Sequence, residues 1–256
     1  MLTFHHTGDW GPGDVEVVWV PTGRRVVPEV EALIEDAWVR ATARPGAHLF
    51  DGPMCRLEEW GVTPAGRLSL ALSETTYKPF FGTNMSHPEL ADRFGLEVMG
   101  NPVGVSPALE TSDGFLMLGR RNESVAYYPG RVHPFAGALE PRDGGDVFRA
   151  VRRELREELS LDREVEEVRC TGVVEDGALR QTEFIFRARA RVTRAEVERR
   201  LDATEHRGTW SVPAVREDVA RAARDPALTP VAVASLLLWG RLRFGDEWFR
   251  HLRNGI

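Results

Sequence analysis

Three glutamates in one short segment have the type and the spacing to bind a divalent cation. Glu154, Glu157 and Glu158 lie three and four residues apart in a stretch whose apolar residues recur at helical intervals. On a helix these carboxylates converge beside the apolar stripe and near the C-terminal end, where both mutual repulsion and the helix dipole are unfavourable. Carboxylate oxygens are ligands that suit Mg²⁺ and Mn²⁺. The spacing therefore predicts a metal site in which the cation neutralises the three charges.

A simpler interpretation is a solvated helix whose glutamates pair with neighbouring arginines. The helical projection argues against it, because Arg149, Arg152 and Arg156 fall on a different face from the glutamates. For Glu157 alone, a salt bridge to Arg153 four residues earlier stays an alternative to metal binding.

The segment resembles the signature box of the Nudix hydrolases. Six positions match the second half of that box: Arg153, Glu154, Leu155, Glu157, Glu158 and Leu161. The first half departs from it, since Gly145 stands where the family has a glutamate and Ser160 where it usually has glycine. Two extra residues, Arg142 and Asp143, lengthen the preceding loop. We therefore expect Arg153 to lack its usual partner and the loop to be less rigid.

Further segments resemble a branch of this family that includes a eukaryotic UDP-glucose and UDP-galactose hydrolase, which also has a lengthened box. These segments are residues 77–84, 101–109, 120–121 and 129–137. The resemblance implies a Mg²⁺-dependent enzyme, with Mn²⁺ as a possible substitute, whose substrate is a small nucleoside diphosphate compound. A UDP-sugar, split into UMP and a sugar 1-phosphate, is the leading expectation. The alternatives are another Nudix substrate, such as ADP-ribose, a dinucleotide or an RNA cap, and a nucleotide-sensing module without turnover.

The resemblance also implies roles for individual residues. It makes Glu154 and Glu158 the main metal ligands and Glu157 a third ligand or a neighbour of the metal. Glu205 is the first candidate for the general base and Glu183 the second. The expected substrate-binding residues are Tyr77, Lys78, Gly82, Thr83, Asn84, Arg120, Arg121 and Gly137.

Physical arguments refine these roles. Strand alternation sends Arg120 and Arg121 to opposite faces, so only one of them can grip a phosphate. Segment 77–84 offers aromatic rings, a cation and an amide for a base or sugar, although a turn between domains would explain it too. We expect His133 to be a hydrogen-bonded structural histidine.

The pattern along the chain predicts an α/β protein. A Nudix-type α/β/α sandwich with a mixed sheet is expected over residues 96–256, preceded by a small α+β domain over 1–95. The predicted strands are 15–20, 55–60, 68–73, 102–109, 114–119, 167–174 and 184–192, with a further strand near Trp210, and the main predicted helices are 28–44, 146–160 and 230–242.

Composition narrows the classes of partner and location. The 33 basic and 39 acidic residues give a net charge of −6, which argues against nucleic acid as a partner. The apolar run 231–239 is less than half of the ~20 residues that span a bilayer. Two cysteines, Cys55 and Cys170, cannot form a disulfide framework, so we expect a cytoplasmic protein that acts on a small molecule. The oligomeric state stays open.

Overall fold

The structure is a computed structural model that describes residues 2–44 and 49–255. Its strands are β1 (Leu2–Trp10), β2 (Val15–Trp19), β3 (Pro53–Val62), β4 (Leu68–Thr76), β5 (Gly104–Glu110), β6 (Phe115–Arg121), β7 (Val132–His133), β8 (Gly137–Ala138), β9 (Val165–Asp176), β10 (Gln181–Ala190) and β11 (His206–Pro213). Its α-helices are α1 (Pro28–Thr42), α2 (Tyr77–Phe80), α3 (Leu90–Phe94), α4 (Val147–Leu159), α5 (Arg194–Arg200), α6 (Arg216–Ala222), α7 (Pro230–Phe244) and α8 (Asp246–Arg253).

Eight of these strands form one mixed sheet. The main path is β1-β9-β10-β5-β6-β11, and the short strands β7 and β8 pair with β6 and β5. Strands β5 and β10 are parallel, whereas the other neighbours are antiparallel. This arrangement confirms the predicted α/β class with a mixed sheet.

Alternating side chains give the sheet two apolar faces. On β10, Phe184 and Phe186 join the core beneath α4, while Ile185 between them joins the core beneath α7. Helix α7 is buried along residues 231–240 because α6, α8 and the sheet surround it. Among residues 2–44 and 49–255, no helix has both the length and the apolar composition needed to cross a membrane. The helices on both faces complete the predicted sandwich.

The helix that carries the three glutamates has well-defined ends. The side chain of Asp146 accepts hydrogen bonds from the backbone N–H groups of Phe148 and Arg149, which caps the N-terminus of α4. Ser160 caps the C-terminus of the helix directly after Leu159, and its φ of 52° is left-handed. Glycine adopts that conformation without steric cost, which accounts for the family's preference for glycine at this position.

The N-terminal segment is joined to the large sheet by backbone hydrogen bonds. Strands β2, β4 and β3 form a separate three-stranded sheet, but β1 pairs with β9 at the edge of the large one. Strand β3 is also attached, because Cys55 N donates to Leu139 O at 2.8 Å and Val103 N donates to Cys55 O at 3.0 Å. The division into two domains near residue 95 stays a prediction. The first residue of the N-terminal domain, residue 1, and the last residue of the C-terminal domain, residue 256, lie outside the described residues.

This attachment predicts that residues 96–256 are less stable alone than within the whole chain. We expect the melting temperature of that fragment to be at least about 10 °C lower, because it lacks β1 and the backbone partners on β3. For a chain of this size, that shift corresponds to a loss of roughly 3 kcal/mol in the free energy of unfolding. Thermal unfolding of both proteins, followed by circular dichroism, measures the difference. Equal melting temperatures would show that residues 1–95 form a separable domain.

Candidate functional site

Helix α4 holds its three glutamates in different environments. The side chain of Glu158 is 7% exposed and that of Glu154 is 12% exposed, whereas Glu157 is 42% exposed. Glu157 also lies within salt-bridge distance of two arginines, 3.2 Å from Arg153 and 3.3 Å from Arg142. These contacts match the salt-bridge alternative for Glu157 and leave Glu154 and Glu158 as the buried pair.

The buried pair is in an environment that opposes ionisation. Burial raises the pKa of Glu154 to about 8, and the nearby Glu158 carboxylate adds to this rise against the opposing effect of Arg153. Burial likewise raises the pKa of Glu158, with a further contribution from Glu205. Two desolvated carboxylates that repel each other fit a divalent cation, since the cation restores the charged form of both.

Gly137 allows the close approach of Glu154 to the sheet. A Cβ atom at this position on β8 would lie 2.2 Å from Oε1 of Glu154. Every larger residue would therefore displace the carboxylate. Gly137 was predicted to bind substrate, and the structure places it directly against the predicted metal ligand.

Arg153 lacks the glutamate that usually pairs with it in the family, as expected, but another carboxylate takes its place. Asp143, one of the two extra loop residues, accepts hydrogen bonds from Arg153 Nη2 at 3.0 Å and from Nε at 3.2 Å. The loop forms a 3₁₀ turn over Pro141–Asp143, which brings the Asp143 carboxylate beneath the guanidinium. Gly145 is left-handed, with a φ of 83°, and packs toward Val17 on β2. The lengthened loop thus replaces the missing glutamate instead of weakening the site.

The Arg153 guanidinium also holds the glutamate helix in place. Nη1 donates to Glu154 Oε1 at 2.6 Å, and Nη2 donates to the backbone oxygen of Ala138 at 2.8 Å. Helix α4, strand β8 and the loop are therefore fixed by one buried side chain. Asp143 and its hydrogen bonds raise the pKa of Arg153 despite burial, so this cation stays charged.

Strands β6 and β11 bring a second group of polar side chains to Glu158. Oε2 of Glu158 lies 2.7 Å from Nε2 of His206. Glu205, which precedes His206, lies 3.8 Å from the buried guanidinium of Arg121. Glu158, Glu205 and His206 each contribute one possible ligand atom, and these three atoms lie within 4.8 Å of one another. Burial and the charge of Arg121 lower the pKa of His206 to about 4.

His206 is the functional candidate that the sequence analysis did not identify. A lone histidine has no sequence spacing to a partner 48 residues away. The available signal was its neighbour Glu205, the predicted base, because His206 directly follows it and begins the strand that pairs with Arg121. As strand alternation predicts, Arg121 is buried beside this group, and Arg120 projects from the opposite face of β6.

Segment 77–84 is only partly directed at this group. Tyr77 lies within electrostatic range of Arg121 and Glu205, although burial is the main reason why its pKa is raised. Lys78 pairs with Glu35, and a Cβ at Gly82 would lie 2.7 Å from the backbone of Ile34.

Thr83 and Asn84 are fully buried and engaged within the chain. Thr83 Oγ1 donates to Pro79 O at 2.6 Å. The Asn84 amide donates to Leu179 O at 2.9 Å and accepts from Asn101 N at 3.0 Å. These contacts join the segment to neighbouring loops. In the structure, the partners of Lys78, Gly82, Thr83 and Asn84 are residues other than Glu154, Glu157 and Glu158.

Glu183 and His133 are hydrogen-bonded to hydroxyl groups of other residues and not to the glutamates of α4. Glu183 accepts a hydrogen bond from Ser106 at 3.0 Å, and burial raises its pKa to about 8. His133 Nδ1 lies 2.8 Å from the hydroxyl of Thr229, in agreement with the structural role expected for it.

A mixed sheet between helices, with a glutamate-bearing helix on one face, is the Nudix type of α/β fold. No family model matches the chain. The chain is 36% identical over 132 residues to uridine diphosphate glucose pyrophosphatase NUDT22 of Homo sapiens, a match that covers 46% of this chain and 43% of that protein. The Mus musculus protein of the same name is 31% identical over 167 residues, covering 54% of each. The chain therefore spans about half the length of the curated relatives it matches.

Solved structures give more distant likenesses. DR0079 from Deinococcus radiodurans has a TM-score of 0.41 and 21% identity, over 53% of this chain and 80% of that one. The Nudix domain of Shewanella oneidensis NrtR, in complex with ADP ribose, has a TM-score of 0.43 and 14% identity, over 62% and 98%. The resemblance to the Nudix family, and within it to the UDP-glucose branch, is confirmed by the curated relatives.

The Arg153 contacts predict that Asp143 is a major stabilising residue. We expect Asp143→Ala to lower the free energy of unfolding by about 3 kcal/mol, because it leaves a buried guanidinium without its bidentate partner. The matched control is Arg142→Ala, the other extra residue, whose side chain is 58% exposed and whose loss should cost less than about 1 kcal/mol. Urea unfolding measures both variants, and similar losses for the two would contradict the assignment.

The pKa of Glu154 predicts a pH-dependent effect of Mg²⁺ on stability. Between pH 4.5, the ordinary pKa of a glutamate, and about 8, the pKa of Glu154 in the folded metal-free chain, the folded chain retains a proton that the unfolded chain has released. Because the folded chain binds the extra proton, the free energy of unfolding falls as pH rises from 4.5 to about 8. A bound cation needs the ionised carboxylate, so its stabilising contribution grows across the same window.

We accordingly expect Mg²⁺ to raise the melting temperature more at pH 8 than at pH 6. Melting curves in EDTA and in excess Mg²⁺ at both values, with Ca²⁺ as a comparison, provide the measurement. Curves that superimpose at both pH values would exclude a metal site at Glu154 and Glu158.

Proposed function

We propose that this chain is a Mg²⁺-dependent hydrolase of a nucleoside diphosphate sugar, with UDP-glucose or UDP-galactose as the substrate and UMP and a sugar 1-phosphate as the products. The observation that carries the proposal is the buried pair Glu154 and Glu158, whose raised pKa values fit a divalent cation. The choice of a UDP-sugar is supported by the relatives named as uridine diphosphate glucose pyrophosphatase.

Glu154 and Glu158 would hold the cation, with Glu157 close enough to contribute charge. Mn²⁺ could replace Mg²⁺, because both accept carboxylate oxygens. When bound, the metal supplies charge neutralisation for the diphosphate and lowers the pKa of water. The Arg153 guanidinium keeps Glu154 in place through its 2.6 Å hydrogen bond, so the ligand geometry is set before substrate arrives.

The residues of β6 and β11 would act on the diphosphate and on water. The Arg121 guanidinium is buried and lies beside Glu205, which supports a role for this planar cation in holding phosphate oxygens. Hydrolysis joins a water oxygen to phosphorus and breaks one bond of the diphosphate bridge, and a base must take the water proton. Glu205 is our candidate for that base, because its side chain is half-exposed and faces the same group as Glu158.

Tyr77 would contribute to binding of the nucleoside. Its ring belongs to an aromatic cluster with Trp38, Phe80 and Phe81 and lies within electrostatic range of Arg121 and Glu205. An aromatic surface next to a phosphate-binding arginine suits a planar base attached to a diphosphate. The non-catalytic alternative rested on the degraded first half of the box, and the Asp143 contact with Arg153 removes that support.

The proposal is tested by product analysis with a panel of nucleoside diphosphate compounds. UDP-glucose, UDP-galactose, ADP-ribose and a dinucleotide are incubated with Mg²⁺, and the products are separated by chromatography. We expect UMP and hexose 1-phosphate in equal amounts from the UDP-sugars. Tight binding without products would support a sensing module, and turnover confined to another compound would reassign the substrate.

Glu158→Gln provides the matched variant for that assay. It keeps the shape of the side chain but removes a ligand charge, so we expect turnover to fall roughly a hundredfold or more with the fold intact. Glu157→Gln removes an exposed carboxylate on the same helix and should lower turnover much less. Equal losses in both variants would show that Glu157 contributes as much as Glu158, and unchanged turnover in Glu158→Gln would show that Glu158 is not a metal ligand.

A further inference from the structure

The ring of His206 is held in a fitted position on the sheet. Its side chain has no solvent exposure, and its Cα atom pairs with that of Arg121 across β6 and β11. A Cβ at Gly119 would lie 2.3 Å from Nδ1 of the ring. The Phe135 ring meets it edge-on, with the centroids 5.3 Å apart. The absence of a side chain at Gly119 therefore makes room for this imidazole.

The two ring nitrogens have different surroundings. Nε2 lies 2.7 Å from Oε2 of Glu158, whereas Nδ1 is buried and has no hydrogen-bond partner among the described residues. An ionised carboxylate can only accept, so in the metal-binding form of Glu158 the proton is on Nε2, which donates. The opposite tautomer would bury an N–H group without an acceptor, which is the rarer and costlier state.

This pattern differs from that of a metal-ligating histidine. Such a histidine uses one nitrogen for the metal and donates the N–H of the other to a carboxylate, a carbonyl or water. His206 has no such acceptor at Nδ1 within the described residues, and Nε2 is already directed at Glu158. Its contacts are those of a side chain that supports a ligand.

We propose that His206 is a positioning residue that fixes one oxygen of Glu158 through its Nε2–H group and so orients the carboxylate for the cation. The inference rests on the metal-binding role proposed for Glu158. It has a consequence for metal preference, because the ligands then are oxygens alone, which suits Mg²⁺ or Mn²⁺ better than metals that prefer imidazole. The competing assignment makes His206 itself a ligand together with Glu158 and Glu205.

Two amide variants separate positioning from packing. Gln can place its amide nitrogen near the position of Nε2, whereas Asn is one methylene shorter and cannot reach Glu158. With Mn²⁺ as the probe, we expect His206→Asn to weaken binding by about 10- to 100-fold. His206→Gln should stay within about threefold of wild type, because its amide group is also a donor. His133→Gln is the matched control, since His133 is equally buried but bonded to Thr229, and it should lower the melting temperature without changing Mn²⁺ affinity.

Mn²⁺ affinity is measured by electron paramagnetic resonance in the absence of nucleotide, with melting curves for each variant. Pulsed measurements on the wild-type protein also report whether a nitrogen is bonded directly to Mn²⁺, which decides the question even where a variant does not fold. We expect no directly bonded nitrogen.

A coordinated imidazole nitrogen, unchanged affinity in His206→Asn, or equal losses in the Asn and Gln variants would each overturn the inference. Failure of the proposed function has a different signature. In that case the wild-type protein binds Mn²⁺ and the variants show the expected order of affinities, while no nucleotide sugar is hydrolysed. That result would support the positioning role of His206 and contradict the proposed enzymatic activity.

Discussion

The buried guanidinium of Arg153 is the interaction on which the site depends. It joins Asp143 in the loop, Glu154 on helix α4 and the backbone of Ala138 on β8. A buried cation with these partners cannot be removed without leaving uncompensated charge, so the three elements keep one geometry. Burial of Glu154 in this position raises its pKa to about 8, although Arg153 has the opposite effect. A divalent cation between Glu154 and Glu158 would balance the remaining negative charge.

The N-terminal segment supports the same geometry from outside. Cys55 on β3 donates a backbone hydrogen bond to Leu139, which directly precedes the loop that carries Asp143. Gly145 in that loop packs toward Val17 on β2, and Tyr77 lies within electrostatic range of Arg121 and Glu205. Residues before 95 therefore contact the loop that carries Asp143 and the segment directly before it.

Sequence alone predicted the parts of the site that follow from local periodicity. Apolar spacing placed Leu155 and Leu159 in the core, and both are fully buried, which also set Glu154 and Glu158 beside the core. It could not predict that Asp143 binds Arg153, because that contact depends on the turn of the loop. His206 meets Glu158 only through strand pairing, and β1 is a partly exposed edge strand without clear alternation. Each missed feature is a tertiary contact with no fixed sequence spacing.

The proposed activity requires that Glu154 and Glu158 together hold a divalent cation. The most direct measurement is X-ray diffraction from crystals soaked in Mn²⁺, with data collected to locate the anomalous scattering of the metal. We expect an anomalous peak in contact with carboxylate oxygens of both Glu154 and Glu158, with His206 still bonded to Glu158. A crystal saturated with Mn²⁺ whose peak lies away from these two carboxylates, or on the His206 ring without Glu154, would contradict it.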